Sequence, residues 1–177
     1  MKKFYTIAFA LISLNSVAQT LVQSDLPFAG LVWTSGTDTT YTDAIPPGGA
    51  AQNWDFSNLQ YDYIDTSGFA AAAGTPYAST FPSANLAAHK LSTNEWTYFT
   101  SSSTGFYVNG FVTDTLTFVI DPQQMYVPVP FSSGDTKTDI SRVVIDTTFL
   151  TYAAQIRINF HADFLADGYG SLITPVA

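Results

Sequence analysis

Apolar and polar residues alternate most cleanly near the end of the chain. Between residues 154 and 164, Ala154, Ile156, Ile158, Phe160, Ala162 and Phe164 share one parity, and Gln155, Arg157, Asn159, His161 and Asp163 share the other. Period two over so long a run predicts an antiparallel strand with one buried face and one wet face. Shorter strands are predicted at residues 54–59, 96–99, 106–108 and 115–120, around Val143, Ile145 and Phe149, and at 169–174. Turn chemistry separates them: a Ser/Thr cluster ending at Gly105, the Asn109-Gly110 pair that favours a type I′ turn, and Asp167-Gly168. Pro122, Pro128 and Pro130 predict that residues 121–137 form an edge or a crossing loop, because proline cannot donate to a central ladder.

The first third is less regular. An apolar entry at 21–33 gives way to a polar run at 34–43, then to Ile45-Pro46-Pro47-Gly48-Gly49, which reads as a loop. Ala70 to Ala73 favour a single helical turn that Gly74 and Pro76 close. No internal repeat is present, which excludes a solenoid or propeller. The pattern predicts an all-β fold: one antiparallel β-sandwich or jelly-roll-like domain of about seven to nine strands, with a loop-rich N-terminal third. An eight-stranded outer-membrane barrel fits less well. Faces such as Thr115, Thr117 and Val119 do not make a continuous lipid-facing band.

The beginning of the chain follows another logic. Lys2 and Lys3, an apolar stretch at 4–14 and Ser16-Val17-Ala18 have the order of a secretory signal peptide spanning 1–18. The stretch is too short to cross a bilayer as a helix, which takes ~20 residues. The expectation is an exported protein beginning at Gln19, secreted or at the cell surface with the periplasm as transit, and with no transmembrane segment. Residues 19–177 then make a single β-rich domain. The last predicted strand runs almost to Ala177, so the chain is expected to be the front of a longer protein.

Composition sharpens this picture. Removing Lys2 and Lys3 leaves four basic residues against fourteen acidic ones, a net charge of −10, and such a surface repels nucleic acid. Thirteen of the acids are Asp and only Glu95 is Glu, an imbalance that favours turns over helices. There is no cysteine, hence no thiol nucleophile, thiolate metal site or lipid-bearing thiol. With so few charges on the strands, either pairing of a sheet edge with another copy or a covered edge remains open.

Candidate chemistry is sparse. His161 and Asp163 lie two apart on the polar face of the long strand, close enough to orient an imidazole, though a solvated strand face explains them as well. His89 falls in a loop-like region, and no Gly-x-Ser-x-Gly elbow occurs. Paired carboxylates for glycoside hydrolysis carry no specificity among so many Asp. Structural calcium is the one metal worth considering, at Asp62-x-x-Asp65-x-x-Gly68 or Asp163-x-x-x-Asp167-Gly168, where turn stabilisation is the simpler reading. No other cofactor or metal is implied. Trp33, Trp54 and Trp96 with Tyr61 and Tyr63 are candidates for a carbohydrate-stacking platform, weighed against a place in the core.

Three segments together resemble a known group: Trp54-Asp55-Phe56-Ser57-Asn58-Leu59, Pro130-Phe131-Ser132-Ser133-Gly134-Asp135-Thr136 and Ala166-Asp167-Gly168-Tyr169-Gly170-Ser171-Leu172-Ile173-Thr174-Pro175. They are similar to the N-terminal β-rich region of secreted Bacteroidota proteins that often carry a C-terminal type IX secretion sorting domain. The resemblance implies export and a surface role, and it carries no catalytic residues. The leading expectation is a non-catalytic exported β-domain, a structural or presenting module of a cell-surface or secreted protein. The alternative is a carbohydrate-binding module using the Trp/Tyr set, and the third is an Asp-dependent hydrolase using His161. Expected partners are polysaccharide or other surface proteins.

Overall fold

The computed structural model describes residues 19–40, 47–114, 116–149 and 152–174. The expected signal peptide at 1–18, together with Pro46, Thr115 and Pro175, lies outside the described residues. Among the described residues twelve strands follow in chain order: β1 (Thr20–Leu21), β2 (Val32–Thr37), β3 (Gly49–Asp55), β4 (Tyr63–Ala71), β5 (Leu86–Lys90), β6 (Glu95–Ser102), β7 (Gly105–Val112), β8 (Thr117–Pro128), β9 (Phe131–Ser132), β10 (Thr136–Phe149), β11 (Tyr152–Leu165) and β12 (Gly168–Ile173). Eight of them form one antiparallel sheet in the order β11-β10-β8-β7-β6-β5-β4-β2. Two small sheets complete the fold, β1 with β9 and β3 with β12. The fold is all-β, consistent with a sandwich or jelly-roll-like domain. The β3–β12 pair is parallel, the one exception to the antiparallel expectation among the described residues.

Register defines the two faces of the large sheet. Leu86, Phe99 and Val108 stand in line on one face, and Ala87, Tyr98 and Gly110 on the other. The first face packs Phe69, Leu86, Phe99 and Phe106 beneath Leu26 and Val129, with Leu21 and Leu31 alongside, so the segment before β2 forms its lid. The Phe99 and Phe106 rings stack at 4.6 Å. The second face packs Ala87, Tyr98 and Val112 beneath Ala72 and Phe81, which belong to the irregular segment between β4 and β5. Phe81 stacks on Tyr98 at 4.4 Å. Phe81 comes this close because Gly110 has no side chain: a Cβ there would strike both the Phe81 ring and the Phe118 carbonyl. Tyr98 is fully buried and keeps its hydroxyl satisfied, bonding the Thr75 hydroxyl at 2.7 Å and accepting the Tyr77 N–H at 3.1 Å. Burying each such aromatic is worth about 1.5–3 kcal/mol.

The structure corrects four sequence expectations. Asn109-Gly110 does not turn the chain but lies inside β7, at a register shift against both neighbours. Asn109 is buried there, donating to the Ser83 hydroxyl and Gln123 Oε1 and accepting from the Thr100 hydroxyl, and these bonds outweigh the local turn preference. Within the 121–137 stretch expected as an edge or crossing loop, residues 121–128 belong instead to β8, which runs through Pro122 between β7 and β10. Only 129–135 carry the bends and turn around the short β9. Pro122 falls between the pairs Val108↔Gln124 and Gly110↔Val119, where β8 has no β7 partner, so no ladder bond is forfeited. The strand expected at 54–59 lies earlier, at Gly49–Asp55. His89 is in β5 rather than in a loop.

Candidate functional site

The aromatic candidates do not converge. Trp33 projects from β2 on the first face, meets Phe69 edge-on at 6.1 Å and is 49% exposed. Trp96 stands in β6 on the second face, stacked against His89 at 4.4 Å and continuing towards Tyr98 at 6.4 Å. Cross-strand pairing of His89 with Trp96 explains that stack, and it makes Trp96 part of the core margin. Trp54 lies in β3, outside the large sheet, where its indole N–H donates to the Pro47 carbonyl at 3.3 Å. The Tyr61 ring lies where a side chain at Gly36 would go, and Tyr63 is exposed at the start of β4 opposite Thr37. The three indoles thus sit on three different surfaces rather than on one platform.

Two concavities border these residues. A groove of about 440 Å³ on the first face is almost wholly apolar, floored by Phe69, Phe99 and Phe106 and rimmed by Trp33 and Tyr126. The other is a crevice of about 650 Å³ between β1, β3 and the β11–β12 turn, lined by Gln19, Thr20, Asp25, Trp54, Asp167 and Tyr169. Its walls are fixed locally. The Thr20 and Ser132 hydroxyls bond at 2.8 Å across β1 and β9, and Asp25 accepts the Val22 N–H at 2.9 Å. Parallel pairing of β3 with β12 holds Trp54 beside Leu172. Indole, phenol, amide and carboxylate around one opening suit a hydroxyl-rich ligand better than an apolar one.

The titratable candidates are more dispersed. His161 Nε2 and Asp163 Oδ1 are 3.3 Å apart with both side chains largely exposed. Asp163 also accepts the Thr138 hydroxyl at 2.8 Å, and that bond, with a smaller contribution from His161, holds its carboxyl below the ordinary value. This pair stands on an open strand face, where water screens it. Asp65 accepts the Ser92 hydroxyl at 2.8 Å and pairs with Lys90 at 3.1 Å, and both lower its pKa, Ser92 the more. Asp62 is occupied by the Thr39 backbone N–H and hydroxyl. In the first expected calcium loop Asp62 and Asp65 thus tie neighbouring segments, and in the second Asp163 ties β11 to β10. Among the described residues no three His, Asp or Glu side chains cluster together.

Sequence reasoning missed Tyr126, Tyr169 and Asp25. Tyr126 is hidden in the proline-rich stretch, whose composition suggests an edge or a crossing loop. Tyr169 was visible, since it follows the Asp167-Gly168 turn and so must flank whatever that turn borders. No helix among the described residues is long and apolar enough to cross a membrane. Compared with protein-family models, curated proteins and solved structures, the chain matches none.

Proposed function

We propose that this chain is a non-catalytic exported β-domain serving as a structural or presenting module of a secreted or cell-surface protein. One observation carries the reading: β11 has the most regular apolar face in the sequence, yet Ile156, Ile158 and Phe160 on it are 49%, 41% and 38% exposed. An apolar stripe patterned for burial and left open is a contact surface for another protein. The resemblance to secreted Bacteroidota proteins supports export and attachment. The test is fractionation of cells that make the native chain or Phe160→Lys. A mature N-terminus at Gln19, with the native chain attached at the surface and the variant released, is the expected result. Equal attachment of both would overturn it.

A second reading is supported by the crevice around Trp54: a carbohydrate-binding module with Trp54 and Tyr169 as its walls. Soluble polysaccharides would then protect the native chain's indole fluorescence from acrylamide, and Trp54→Phe would remove the protection. If no glycan alters quenching, that reading fails.

A further inference from the structure

We infer that β11 pairs antiparallel with β11 of a second copy of this chain, about a two-fold axis at Phe160. The inference rests on reading the β11 face as a contact surface, and it names the occupant.

The edge itself is unusually regular. β11 ends the eight-stranded sheet, and no strand among the described residues pairs with its outer side. Its pairing with β10 runs from Thr136↔Leu165 to Phe149↔Tyr152 without a shift. The opposite edge, β2, is six residues long and contains Ser, Thr and Gly. Exposed edges are ordinarily blunted by proline, lysine, a bulge or brevity, and β11 has none of these.

Self-pairing is selected by register. In an antiparallel pair, opposed residues share a face, so apolar meets apolar only when the two residue numbers sum to an even value. β11 carries one Arg, one His and one Asp. With Phe160 opposite its own copy, Arg157 faces Asp163 of the second copy, and symmetry makes this pair twice. An axis at Asn159 would instead set Arg157 against His161, one at Ile158 against Asn159, and one at His161 against Leu165. The Phe160 axis also matches large with small on the apolar side, Ile158 with Ala162, and sets Ile156 against Phe164. Within its own chain Arg157 donates to the Gln155 side-chain carbonyl at 2.7 Å.

The absence of native cysteine makes the test clean. Under mild oxidation, Phe160→Cys is expected to form a disulfide dimer, since residues opposed on a strand pair fall within disulfide reach. Ile156→Cys, whose counterpart is Phe164, is expected to stay unlinked. Sedimentation of the purified chain from about 1 μM to 1 mM should show a dimer. Arg157→Asp and Asp163→Arg should each weaken it at least about tenfold, and the two together should restore it. A monomer throughout, or a dimer indifferent to both single reversals, overturns the pairing. A monomer that still binds a hydrophobic dye, with binding lost in Phe160→Lys, removes the second copy but leaves the contact-surface reading. If native chain and variant bind no dye, both fall. Arg157 and Asp163 are exposed, and unchanged circular dichroism of each variant will confirm that the fold is intact.

Discussion

β6 and β11 present the same kind of pattern to opposite effect. In β6, Tyr98 is fully buried and Phe99 nearly so, although the two side chains point to different faces. In β11 the alternation is cleaner and longer, yet Ile156, Ile158 and Phe160 at its middle remain exposed. What differs is the cover. Above β6 lie Leu26 and Leu31 on one side and Ala72 and Phe81 on the other, all from irregular segments. Nothing comparable from the described residues lies over Ile156, Ile158 and Phe160. Alternation states which face of a strand is suited to burial, but the burial itself depends on segments with little pattern of their own.

This contrast can be broken most directly by truncating one aromatic on each side of it. Phe81→Ala is expected to cost about 3–5 kcal/mol in denaturant unfolding, because the ring is buried against Tyr98 and leaves a cavity. Phe160→Ala should change stability by no more than about 0.5 kcal/mol in the monomer. Comparable losses would mean that β11 is covered in solution. Next in size is Asn109→Ala, expected to cost about 1–3 kcal/mol, since the Thr100 hydroxyl and Gln123 lose a buried partner. Tyr98→Phe should cost about 1 kcal/mol by removing the bonds to Thr75 and Tyr77 while keeping the ring stack. A larger loss would show that the cover segment depends on that hydroxyl for its placement.

The smallest effect concerns pH. Ser92 and Lys90 hold Asp65 below its ordinary pKa, so its contribution is present at neutral pH and is lost as pH falls through the carboxylate range. Asp65→Asn should therefore lower stability slightly at pH 7 and flatten the acid limb of a thermal-melt series. An acid limb identical to that of the native chain would show that the exposed pair contributes nothing.

How far the sequence predicts the fold varies by element. β11 was legible because one face is wet, so its polar residues mark the period. β5 was not, since Leu86 and Ala87 are both buried, on opposite faces, and the alternation vanishes. β2 was obscured by Thr34, Ser35 and Gly36, which suit a strand exposed along its whole length. In β7, local turn chemistry at Asn109-Gly110 was outweighed by pairing on both sides and by a side-chain network that only the folded chain brings together. The candidate aromatics were recognisable by type, but their placement on three surfaces follows from register and topology. That is why the crevice beside Trp54 could not be read in advance.

The parallel pair has a consequence in time. β3 is synthesised early and β12 more than a hundred residues later, yet each is the other's partner. As the chain emerges from the ribosome, β3 must wait with its ladder unmet while the β4–β8 meander forms from near neighbours. Closing the pair is therefore a late event that brings Trp54 to Tyr169, and any ligand of that crevice would bind only a chain in which β12 has arrived.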